Sequence, residues 1–155
     1  MSHGVINEAI RNAEEEQALI VKLVKHGLEA RDLHKRCLES LAPTFTVGNP
    51  EVQDVRELIK VYEGYKEMED IVAELRMRMK KVEQQIDPTA LKQEPARRRL
   101  KRESAALREE GKKLLALVEA MNKTVKKLQA RAKEVDKEGP KEEDPHIFWI
   151  RCHQV

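Results

Sequence analysis

The sequence predicts an all-α protein. The expected form is an elongated coiled coil of three long helices, folded as an antiparallel hairpin or three-helix bundle, with a short non-helical C-terminal tail. Three observations carry this expectation. Of 155 residues, 37% are charged and only 3% aromatic, with 6 Gly and 6 Pro. So few aromatics and turn residues argue against a sandwich, a barrel or a Rossmann-type domain, whereas Ala, Leu, Lys, Arg and Glu are the stock of long helices. Apolar residues recur at heptad spacing over two long stretches, and proline-marked breaks separate the stretches.

The first helix is expected over about residues 5–42. Ile6, Ile10, Ala13, Ile20, Val24 and Leu28 make one apolar stripe, and Leu23, Ala30, Leu33, Cys37 and Leu41 widen it. A face that broad suits a helix touching two neighbours. The stretch from Pro43 to Pro50 then carries two prolines, a glycine and no charge. Asn49 is a natural N-cap there, with Pro50 at the first helical position. Phe45 and Val47 in this stretch are candidates to close the end of a bundle.

The second helix is expected over about 50–86. Leu58, Tyr65, Val72, Met79 and Ile86 recur every seven residues, interleaved with Val61, Met68, Leu75 and Val82. Asp87 followed by Pro88, then Pro95, marks the next break. The third helix, about 95–138, repeats the pattern. Leu100, Leu107, Leu114, Met121, Leu128 and Val135 recur every seven, with Ser104, Gly111, Val118, Val125 and Ala132 four after each of the first five. At about 1.5 Å per residue, each helix is roughly 55–65 Å long, too long for a compact ball.

Pairing the second and third heptads antiparallel, with the turn inside the proline-marked break, sets Met79 against Leu107, Val72 against Leu114 and Tyr65 against Met121. The same register sets Leu75 against Gly111 and Met68 against Val118. Leu58, Leu100 and Leu128 complete the expected helix-pairing seam. The alternative is a kinked rod, since the heptad phase shifts by one residue across the break. Interior Gly27, Gly64 and Gly111 each cost a helix about 1 kcal/mol relative to Ala, so these helices need a bundle or a partner.

The net charge of +2 conceals an asymmetry. Residues 51–95 hold 8 basic and 11 acidic side chains, and residues 96–138 hold 14 basic and 7 acidic. The acidic second helix is expected to lie against the basic third. The basic patch Arg97, Arg98, Arg99, Lys101 and Arg102 has three readings. It is a helix surface pairing with glutamates across the hairpin, a nuclear-import or acidic-protein contact, or a phosphate contact to nucleic acid.

The chemistry of catalysis is not visible. The six glycines are isolated, so no phosphate-cradling loop exists, and the three serines lie outside any nucleophile motif. His34 and Cys37 share a helix face, but two ligands do not make a metal site. The expected arrangement there is a partly exposed histidine beside a buried cysteine. No cofactor, metal or small-molecule substrate is expected, and the chain reads as non-enzymatic. Two distant cysteines and an N-terminus without a basic-then-apolar leader favour an intracellular protein, cytoplasmic with the nucleus as alternative. No window is apolar enough for a membrane span.

The division expected is residues 1–138 as one helical coiled-coil domain and 139–155 as a flexible linker and docking tail. The tail holds the only Trp. Ile147, Phe148, Trp149 and Ile150 are consecutive and apolar, following the acidic Glu142, Glu143 and Asp144. Such a cluster either anchors in a partner's groove or folds back on its own bundle. The function expected is a protein–protein interaction subunit or adaptor of a larger assembly of cytoskeletal, centrosomal, kinetochore or trafficking type. Its partners would be other helical proteins, hetero-oligomeric rather than homo-oligomeric. A nuclear protein contacting nucleic acid through its third helix is the first alternative, and a membrane-surface helix protein the second.

Overall fold

A computed structural model describes residues 2–46 and 50–138. Three long helices account for nearly all of them: α1 (Ser2–Thr46), α2 (Val52–Gln85) and α3 (Glu94–Glu138). A short 3₁₀ turn, Ala90–Lys92, joins the last two. Among the described residues there is no strand.

Contacts between the helices give the topology. Gln17 Nε2 donates to the Met79 carbonyl at 3.0 Å, and Arg31 pairs with Glu69 at 3.5 Å. Higher numbers on α1 meet lower numbers on α2, so these two run antiparallel. Arg131 meets Glu51 at 2.9 Å and Asp54 at 3.1 Å, while Gly64 lies against Met121. Helices α2 and α3 are therefore also antiparallel, which excludes the kinked rod. Helices α1 and α3 run parallel: Glu16 meets Arg108 at 2.8 Å, and His34 meets Asn122 at 2.6 Å. The three helices form an up–down–up bundle about 65 Å long.

The core is a heptad on α3. Leu100, Leu107, Gly111, Leu114, Val118, Met121, Val125, Leu128 and Ala132 are buried at alternating spacings of mainly three and four. On α2 the buried set is Leu58, Val61, Gly64, Met68, Val72, Leu75 and Val82. Each fully buried aliphatic side chain contributes about 1.5–3 kcal/mol. Tyr65 and Met79, expected in this seam, are half-buried at its edge. Gly64 takes the buried place, and a Cβ built on it would stand 2.8 Å from the Met121 sulfur. The observed register places Gly64, one residue before the expected Tyr65, against Met121. A glycine there lets the two backbones approach.

The element ends differ from expectation in ways the backbone explains. Helix α1 continues through Pro43 to Thr46. Proline removes one N–H and crowds the carbonyl four residues back, that of Glu39, and both Pro43 and Glu39 lie on the exposed side of the helix, one turn from its end. Phe45, carried beyond the proline, is buried at the end of the bundle. Val47 and Asn49 lie outside the described residues. Helix α2 starts at Val52 with extended Glu51 as its cap residue, two residues later than the Pro50 start. The Asp87 side chain accepts from the Thr89 N–H at 3.0 Å, so it shapes the turn rather than capping α3.

At the turn end, α1 and α3 run on beyond Gln85, where α2 stops. The 3₁₀ turn packs against both, and its Leu91 is fully buried between them. Arg97 locks this plug, donating to the carbonyls of Leu91 at 2.7 Å and Lys92 at 3.1 Å.

Candidate interaction surface

The seam residues of the sequence reading are spent on the bundle itself. Leu58, Val72, Leu75, Leu100, Leu107, Leu114, Val118, Met121 and Leu128 are buried, and Tyr65 and Met79 pack against them. Surfaces for other molecules must be sought on the outer faces.

Helix α1 carries a second heptad row. Val5, Leu19 and Leu33 recur every fourteen residues and are 43%, 51% and 57% exposed. Asn12 and His26 fill the intervening heptad positions. The widened stripe expected from the sequence had placed Leu33 inside. It lies outside because Ala30 and His34 take the inward positions beside it. Exposed Leu115 stands on α3, the partner of α1 along this face.

Near the 3₁₀ turn, the groove between α1 and α3 opens into a cavity of about 790 Å³. Its apolar lining comes from Val5, Ala9, Ala13 and Leu19 on one wall and Leu100 and Ala105 on the other. Arg97, Arg98 and Lys101 line its α3 side, and Glu8 and Glu15 its α1 side. Glu16 lies across it, nearly buried, and accepts three hydrogen bonds of 2.8–3.2 Å from Arg108. Hydrogen bonding to Glu16, and then its charge, raise the Arg108 guanidinium above its ordinary value. A cation raised in this way contributes stability that is full below the ordinary arginine value and is lost only as pH climbs through the raised one, so Arg108 keeps its charge under physiological conditions.

The chain matches no known family model, no curated protein and no solved structure.

The structure divides the basic patch. Arg97 is engaged with the 3₁₀ turn, and Arg98 stands 3.9 Å from Glu94 on the groove lip beside Lys101. Arg99, Lys101 and Arg102 are exposed and form no ion pair among the described residues. Pairing across the hairpin does not engage them, although Lys101 and Arg102 lie level with the last turn of α2. The α2–α3 ion pairs gather instead at the far end, on Arg131. Asp54, hydrogen-bonded to it, raises the Arg131 guanidinium above its ordinary value, with Glu134 contributing.

His34 and Cys37 exchange the roles expected of them. His34 is 1% exposed, and its Nε2 meets the Asn122 Oδ1 at 2.6 Å. With that oxygen as acceptor, Nε2 carries the proton, and buried Nδ1 has no partner. Cys37 is only half-buried and accepts from Gln129 at 3.7 Å. Among the described residues no three His, Cys, Asp or Glu side chains gather as metal ligands. No described helix is long and apolar enough to cross a membrane. Ile147, Phe148, Trp149 and Ile150 lie outside the described residues.

Sequence reasoning missed Leu91, Glu16, Arg108 and the exposed row on α1. The row was visible as Val5, Leu19 and Leu33 at multiples of seven, but it merges with the inward stripe because Leu23 and Ala30 lie between the two.

Proposed function

We propose that this chain is a non-enzymatic interaction subunit that recruits helical partner proteins onto its α1/α3 face, with the C-terminal segment 147–150 as a second anchor. The supporting observation is the heptad-spaced row Val5, Leu19 and Leu33, left exposed on a helix whose other heptad is already buried. One exposed face in heptad register is a surface on which a partner helix can pack, and Leu115 adds an exposed apolar side chain on the neighbouring α3. With the α2–α3 seam consumed internally, association by opening that seam would forfeit the core. Docking on the outer face forfeits nothing.

The test is the double variant Leu19→Asp/Leu33→Asp beside a chain ending at residue 145. Both substituted side chains are exposed, so circular dichroism and thermal midpoint should stay within error of the parent. Partners that co-purify with the parent chain from cells should be lost from the row variant and reduced by the truncation. A partner set unchanged in both would overturn the reading.

One observation favours a second reading. Arg99, Lys101 and Arg102 are exposed without ion partners among the described residues, as phosphate contacts would require. Binding of that kind weakens steeply with rising salt, whereas a helical contact persists.

A further inference from the structure

Helix α2 carries an apolar patch at the end of the bundle from which the tail departs. Val52, Ile59 and Tyr62 are 67%, 48% and 46% exposed and share one face by their spacing of seven and three. Arg56, Lys60 and Lys66 stand about the patch, together with the acids Glu57, Glu63 and Glu69. Lys60 is shared with Glu57 at 3.4 Å, and Lys66 lies over the Tyr62 ring at 4.9 Å. Arg56 is exposed and forms no ion pair among the described residues.

The chain after Glu138 has the matching order. Three acids, Glu142 to Asp144, precede the four apolar residues Ile147 to Ile150. Reach decides where they can go. Arg131 is tied to Glu51 and Asp54, so Glu138, seven residues further, stands about 10 Å past them along the axis. Ile59 is five residues inward of Asp54, about 8 Å. Crossing one helix diameter of about 10–12 Å brings the whole path to about 25–30 Å. Residues 147–150 are nine to twelve positions past Glu138, a reach of about 30–40 Å. The acidic triad, four to six positions out, reaches about 13–20 Å, the level of Arg56. The groove beside Lys101 is out of range for the apolar four, since 37 helical residues, about 55 Å, separate it from Glu138.

We propose that the C-terminal segment 139–155 docks on its own bundle, with Phe148 and Trp149 over Val52, Ile59 and Tyr62 and the acidic triad against Arg56. This deepens the reading of the tail as an anchor, on which it rests. The α2 patch is the tail's seat when no partner holds it, and a partner must compete with that seat.

Trp149 is the only tryptophan, so its fluorescence reports this contact alone. The full chain is compared with a synthetic peptide of residues 139–155. Docking predicts emission blue-shifted from the peptide and acrylamide quenching reduced several-fold, both independent of protein concentration. Ile59→Glu should return both to the peptide values. Arg56→Glu should do so in part, with circular dichroism unchanged because both positions are exposed. Emission equal to the free peptide would overturn the proposal, as would shielding that survives Ile59→Glu. Shielding that grows with concentration would also overturn it, by placing the contact between chains. None of these outcomes touches the adaptor reading, which stands or falls on partner loss from the row variant and the truncated chain.

Discussion

The two faces of α3 are built differently. Toward α2 it is a dry antiparallel seam in which Leu107, Leu114, Val118 and Met121 meet an apolar heptad, with ion pairs confined to the Arg131 end. Toward α1 it is a parallel contact interrupted by polar links: Arg108 to Glu16, Asn122 to His34 and Gln129 to Cys37. Apolar burial supplies most of a fold's stability, whereas buried polar links add little net energy but are costly to leave incomplete. Helices α1 and α2 pack on α3 to a similar extent, and the two contacts differ in how they are specified, by apolar fit toward α2 and with polar partners added toward α1. A face kept partly polar and partly open is also the one suited to receiving another molecule.

The largest effect expected is that of Leu114→Asp. Leu114 is buried and packs against Gly27 of α1 while facing α2, so one unpaired carboxylate intrudes on both faces. The loss should be about 3–5 kcal/mol, and helicity by circular dichroism should fall with it. Retained helicity and a retained thermal midpoint would show that the seam does not bind the helices.

A middle-sized effect separates the polar face from the dry one. Asn122→Ala removes the partner of buried His34 and should cost about 1–3 kcal/mol in urea unfolding. His34→Leu/Asn122→Leu removes both groups and should recover most of that loss, because neither is then left without a partner. A double variant as unstable as the single one would mean that packing, not hydrogen bonding, holds this layer.

The smallest effects compare glycines of the two faces. At Gly111 a Cβ would stand 2.8 Å from the Ile20 Cδ1 of α1, a stiff and buried side chain. Gly111→Ala should be destabilising, with overpacking of about 1–3 kcal/mol outweighing about 1 kcal/mol of helix propensity. At Gly64 the obstacle is the Met121 sulfur, part of an adaptable chain. Gly64→Ala should lie within about 0.5 kcal/mol of the parent, a difference that thermal midpoints of the two variants would show.

How much of this was legible follows from what a heptad records. On α3 the apolar residues themselves occupy the seam, so the buried set could be read directly. On α2 the pattern pointed to Tyr65, one residue beyond Gly64. A glycine leaves no apolar mark, and a straight helix drifts about 20° per heptad from a perfect seven-residue repeat. On α1 two rows overlap, and residue type alone does not say which row faces the core. Nor does it say that Glu16 and His34 enter the core while Leu19 and Leu33 stay out. That choice belongs to Arg108 and Asn122, about ninety residues away. The exposed row and the α1/α3 groove were hidden for the same reason: a pattern within one helix cannot show which of its faces a distant helix will cover.

The parallel course of α1 and α3 has a mechanical consequence. Ser2 and Glu138 stand at opposite ends of a bundle about 65 Å long. A load applied between those two points runs along the helix axes and slides α1 past α3. Every polar link across that face then bears it at once, instead of parting one after another as in unzipping. Between Ser2 and Glu138 the bundle would resist such a load as a stiff rod rather than as a chain that peels open.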